Sequence, residues 1–171
     1  VAAVEEAVRF YEEPPQESLL VSTDLADVWI GPDDWAAAFD AAAGTPHNEA
    51  HEVIWDELLQ DVEERVAHLD VSAELLRQAV RRDRELVDTL NRSWPLIDPE
   101  DLVSDLWSVP AYLRRCAPWL DRTEVAALQR TDARAWTVAD LPILDAARLR
   151  LGDPEATRRR RRRAAESAAE R

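Results

Sequence analysis

A mainly α-helical chain with one small β-hairpin near its N-terminus is predicted by three observations. Apolar residues recur at helical spacing, as in Ala50, Ile54, Leu58, Val62, Val66 and Leu69. Prolines and capping residues divide much of the remainder into short helical pieces. Two β-rich runs, Ser18–Thr23 and Asp27–Ile30, flank a polar Asp24-Leu-Ala turn and are bounded by Pro15 and Gly31-Pro32.

Taken in order, Ala2–Glu13 reads as a helix ended by Pro14-Pro15, and the hairpin follows. Asp33-Asp34 caps a short helix through Ala43, stopped by Gly44. Thr45-Pro46 opens the next helix, with proline at its first helical position. A second long helix is expected over Ser72–Arg92, with Leu76, Val80, Val87 and Leu90 on its inner face. It ends at Trp94-Pro95, because proline disfavours the helical conformation of the residue before it. Further helices start at Asp98-Pro99, at Pro110, at the capping-box-like Asp121-Arg-Thr-Glu124, and at Thr137 or Asp140, the last closing at Gly152. Asp153-Pro154-Glu155 begins a final helix that carries Arg158–Arg163. The expected organisation is a helical body over 1–157, with a helix/hairpin/helix part over 1–45 and a helical part over 46–157. An arginine-rich helical arm follows over 158–171.

The 171 residues suffice for a real core. With 46% hydrophobic residues and no twenty-residue apolar run, no membrane span is expected. No charged-then-apolar leader opens the chain, which points to the cytoplasm. Cys116 is the single cysteine, excluding an internal disulfide or a thiolate metal cluster, and reads as a small buried residue. Valine at position 1 and the absence of methionine suit a piece of a longer chain.

Charge is strongly asymmetric. Residues 1–157 carry 33 acids against 14 arginines, a net of −19, while 158–171 carry +5. An acidic body repels phosphate backbones and suits a basic protein surface, so direct nucleic-acid binding by the body is not expected. The six arginines either bind nucleic acid or an acidic groove, or form a solvent-exposed arm. Asp24, Asp27, Asp33 and Asp34, with Trp29 and Trp35 beside them, are the candidate partner-binding residues, because tryptophan is favoured at interface hot spots. The other five tryptophans read as structural plugs near element ends.

Catalytic chemistry finds little support. With three glycines there is no phosphate-cradling loop, and no Ser-His-Asp order or redox motif occurs. The pairs Asp56-Glu57 and Glu63-Glu64 read as solvated helix faces. His47 and His51 have a spacing that can bind zinc, but the metalloprotease order and a third ligand are missing. Helix-start hydrogen bonding is the competing reading for both. No catalytic, cofactor-binding or metal residue is assigned.

Four segments carry a family resemblance: Pro46-His-Asn-Glu-Ala50, Ser93-Trp-Pro-Leu-Ile-Asp-Pro-Glu-Asp-Leu102, Glu124-Val-Ala-Ala-Leu-Gln-Arg130, and Trp136–Gly152. In order and spacing they resemble the HelD/HelR-type RNA polymerase-recycling ATPases, relatives of UvrD-like superfamily-1 helicases. Where that family commonly reads Leu-Leu-Asp-Glu-Ala, this chain has Ile143-Leu-Asp-Ala-Ala147, and Asp145 is given no nucleotide role. The resemblance implies an insertion in the first motor domain, between Walker A and Walker B motifs that this chain lacks. It implies RNA polymerase core as partner, entry into the primary channel and opening of the clamp, so that stalled or inactive complexes dissociate. Some members of the family also protect polymerase from rifamycins. ATP and Mg are implied for the parent motor and none for this chain, which alone is expected neither to bind nor to hydrolyse ATP. The alternative is a free-standing acidic DNA mimic or protein-interaction regulator.

Overall fold

The computed structural model describes residues 1–169, apart from the side chains of Arg161, Ala164 and Ala168. Glu170 and Arg171, counted above with the basic tail, lie outside the described residues. The fold is mainly α, with one two-stranded antiparallel hairpin among the described residues. No helix among the described residues is long and apolar enough to cross a membrane.

The chain forms two compact units whose segments interleave, instead of dividing once after residue 45. The first unit comprises 1–11, 46–49 and 96–171; the second, the hairpin unit, comprises 12–45 and 50–95. Helix α1 (Ala2–Arg9) belongs to the first unit and ends earlier than the expected Glu13.

In the hairpin unit, β1 (Leu19–Ser22) pairs with β2 (Asp27–Ile30) in the register Leu19↔Ile30, Leu20↔Trp29, Val21↔Val28 and Ser22↔Asp27. Because successive strand residues face opposite sides, Val21, Val28 and Ile30 point into the core while Leu20 and Trp29 point out. Helix α2 (Pro32–Ala41) buries Trp35, Ala38 and Phe39 against α3 (His51–Arg65), which buries Ile54, Trp55, Leu58, Leu59 and Val62. Leu69, the last member of the expected stripe, is exposed, since α3 stops at Arg65.

The expected Ser72–Arg92 helix is two helices, α4 (Ala73–Arg81) and α5 (Arg84–Ser93). Asp83 is the reason: it adopts extended backbone, and its carboxylate accepts the Leu86 N–H at 2.9 Å as the N-cap of α5. The break preserves the apolar face. Leu76, Val80, Leu86 and Leu90 are buried, and Val87 is packed against the same core. Trp94 follows α5 and meets Phe39 edge-on, with ring centroids 4.9 Å apart.

The first unit resumes with α6 (Pro99–Ser108), α7 (Pro110–Cys116), α8 (Arg122–Leu128), α9 (Leu141–Leu151) and α10 (Pro154–Ala169). Asp98 caps α6 by accepting from the Glu100 and Asp101 N–H groups, and Asp121 and Glu124 form a reciprocal capping box at α8. Its core gathers Val4, Ala7 and Val8 of α1 with Leu102, Val103, Leu106, Leu113, Val125, Leu144, Ala147 and Leu151. Cys116 is buried within it, and burial pushes its thiol pKa up.

His47–Glu49 form a single 3₁₀ turn of the first unit, and α3 starts only at His51. Gly152 follows α9 with φ +73°. A Cβ there would stand 2.8 Å from Pro46 Cβ and 2.6 Å from Glu49 Oε2. Glu49 can swing aside, but the Pro46 ring cannot. Gly152→Ala is therefore expected to destabilise the first unit by about 1–3 kcal/mol, combining left-handed strain with the clash. Urea unfolding measures it, and a change below about 0.5 kcal/mol contradicts it.

Candidate functional site

The residues singled out around the hairpin separate into two groups. Thr23 fixes the turn: its hydroxyl donates to the Ala26 carbonyl at 2.7 Å and accepts from the Leu25 and Ala26 N–H groups at 3.2 and 3.0 Å. Asp24 is thereby held, exposed, at the tip. Asp27 is exposed at the start of β2, and its Oδ1 accepts from the Ser22 hydroxyl at 2.6 Å across the strand pair. Trp29 is 59% exposed, with Leu20, its cross-strand neighbour, 40% exposed. Asp33 is exposed in the first turn of α2.

Asp34 and Trp35 serve the fold. Asp34 Oδ2 accepts from the Gly31 N–H at 2.7 Å, and its other oxygen pairs with Arg65. Arg65 also pairs with Asp61 and donates to the Trp29 carbonyl oxygen. Arg65 therefore ties β2, the start of α2 and α3 together behind the exposed indole. Burial raises the Asp61 pKa and the Asp34 carboxylate adds to the rise, while Arg65 opposes it. Trp35 is fully buried, so its ring supports the core and has no face for a partner. Helical spacing carried that signal: Trp35, Ala38, Phe39 and Ala42 repeat at i, i+3, i+4 and i+7, and all are buried.

The partition into units also redistributes the charge. The hairpin unit holds 19 acids against six arginines, a net of −13, and the first unit 16 acids against 15 arginines, a net of −1. Residues 12–45 contain eight acids and no arginine. Within residues 1–157 the first unit holds 14 acids against eight arginines, a net of −6, so most of the acidity expected of the body, but not all of it, belongs to the unit that carries the hairpin.

The remaining candidates are structural in their surroundings. His47 is buried in the first unit, while His51 belongs to the hairpin unit, where its Nε2 lies 2.6 Å from the Trp94 carbonyl oxygen and donates to it. Among the described residues no group of three or more His, Cys, Asp or Glu is arranged to hold a metal ion. Of the tryptophans read as structural, Trp55, Trp94 and Trp107 are buried and Trp136 is packed against the first core. Trp119, in the loop before α8, is 59% exposed. Pro118 and the Asp121 cap mark that loop in the sequence, but they do not indicate which way its indole faces.

No family model matches the chain, and no curated protein matches its sequence.

Proposed function

We propose that this chain is a protein-docking module whose contact is the outer face of the hairpin, and that its partner is the core of RNA polymerase. The observation that carries the docking surface is the exposed Leu20–Trp29 pair on a unit of net charge −13. Solvent exposure of an indole beside a second apolar side chain is unfavourable, and covering both supplies the short-range energy of a hot spot. Asp24, Asp27 and Asp33 supply long-range attraction to a basic surface. The polymerase as partner rests on the four segments that resemble the HelD/HelR-type ATPases. A channel built to hold nucleic acid is basic, and an acidic wedge with its own core suits it. In this reading the chain contributes the clamp-opening insertion, and ATP hydrolysis belongs to the rest of the motor.

Binding of the chain to purified core polymerase, followed by interferometry, tests both parts. Trp29→Ala is expected to weaken affinity by at least about tenfold, mainly through faster dissociation. Asp24→Arg with Asp27→Arg and Asp33→Arg is expected to slow association and flatten its salt dependence. Asp34 is left intact because it holds Arg65. Unchanged affinity in both variants removes the hairpin as the contact, and absence of binding by the unaltered chain removes the polymerase.

A further inference from the structure

Helix α10 has no use in the docking surface just described, and its chemistry is opposite. It spans Pro154–Ala169 with six arginines against Glu155 and Glu166, a net of +4, in a first unit whose overall charge is near zero. That total includes α10 itself: without 154–171 the first unit carries 13 acids against eight arginines, a net of −5, so electrostatic exclusion of phosphate is weaker there than on the hairpin unit at −13. Arg160 pairs with Glu49 of the same unit, and from Arg158 onward every described side chain of α10 is exposed.

Three features define what this helix can hold. Beyond Thr157 it contains no apolar side chain larger than alanine, so a partner helix or apolar groove has nothing to pack on. Four of its arginines, Arg158, Arg159, Arg162 and Arg163, are available. Arg158 meets Glu155 at 2.5 Å, Arg159 meets Asp153 at 3.0 Å and Arg162 meets Glu166 at 3.5 Å, all as exposed pairs that a stronger anion can displace. Arg163 has no ion-pair partner among the described residues. Finally, six consecutive positions at about 100° per residue encircle the axis. A flat acidic protein surface meets one side of such a helix. A duplex groove meets several, because phosphates line both of its walls, and guanidinium matches phosphate in a bidentate geometry.

We propose that α10 is a nucleic-acid contact that takes the phosphodiester backbone of a duplex groove, independently of the hairpin's partner. Fluorescence anisotropy of the whole chain against short labelled DNA duplex, RNA duplex and single-stranded DNA tests it. Duplex binding is expected at about 50 mM salt, to fall steeply toward 200 mM, and to exceed single-strand binding; the two duplex arms identify which nucleic acid is preferred. The combined variant Arg158→Gln, Arg159→Gln, Arg162→Gln, Arg163→Gln is expected to lose at least about tenfold in affinity and up to about 3.6 units of salt slope. Arg160 is kept because it holds Glu49. The salt slope of the unaltered chain stands as a second measurement, needing no substitution. Equal binding by chain and variant, a flat salt response, single strands bound as tightly as duplex, or equal competition by polyglutamate of matched charge would each overturn the proposal.

Discussion

Replacing Asn48 by alanine is expected to lower the stability of the first unit by about 3–5 kcal/mol, a large share of the margin a domain of this size holds. Asn48 is 1% exposed, and its amide is fully engaged by backbone. Its Nδ2 donates to the Ile97 carbonyl at 2.8 Å and to the Gly152 carbonyl at 3.2 Å, and its Oδ1 accepts from the Ile97 N–H at 2.9 Å. One side chain thus joins three stretches of chain far apart in sequence: the 3₁₀ turn, the segment after Trp94-Pro95, and the end of α9. Alanine leaves one buried N–H and two carbonyls short of partners, each costing about 1–3 kcal/mol unless water reaches them. Asn48→Asp tests the geometry separately. Its carboxylate still accepts from Ile97 but cannot donate to the two carbonyls, so it is expected to be no better than alanine. Urea unfolding monitored by circular dichroism reads both. A loss below about 1 kcal/mol for alanine would mean that solvent replaces the amide.

That cross-link explains why some of the architecture was legible in the sequence and some was not. Local chemistry was readable where one residue acts on the next few. Asp98, Asp121 and Gly152 delimit helices as their types predict, and strand alternation already puts Val28 and Ile30 on one face and Trp29 on the other. The break at Arg82–Asp83 was missed because the flanking apolar spacing continues through it, and a capping aspartate among arginines resembles an ordinary charged face. Pairings over long separations left no local trace. Nothing in residues 46–49 announces that Asn48 will bond Ile97 and Gly152, so the interleaving of the units was invisible, and with it the concentration of acidity in one unit. Of the candidate site, Asp24, Asp27, Trp29 and Asp33 keep exposed side chains, whereas Asp34 and Trp35 are taken up by the fold. Leu20 was missed because its importance lies in the register that sets it beside Trp29.

Asp140 carries the second large effect, and pH reveals it. Its carboxylate is 2% exposed and accepts two parallel bonds from Arg130, at 2.8 and 2.6 Å, together with the Thr137 N–H at 2.8 Å and the Thr137 hydroxyl at 3.1 Å. Arg130 in turn lies over the Trp107 ring, 5.1 Å from its centroid, and its own N–H donates to the Trp107 carbonyl at 2.9 Å. The network pins the loop between α8 and α9 to the end of α6. The Arg130 guanidinium holds the Asp140 carboxyl well below the usual carboxylate range; burial opposes this, and the Thr137 donors reinforce it. A depressed folded-state pKa stabilises the protein above the unfolded value near 4, and that stability is lost as pH falls toward the folded value. Asp140→Ala removes the partner of a half-buried arginine and is expected to cost about 3–5 kcal/mol at neutral pH. Asp140→Asn keeps the shape without the charge and should cost less. For either variant the deficit relative to the unaltered chain should shrink as pH drops below about 5, because acid withdraws from the unaltered chain the contribution the variants already lack. Denaturant unfolding at a series of pH values measures the gap. A deficit that stays constant from neutral pH down to about 3 would place the role of Asp140 in packing, with its charge making no contribution.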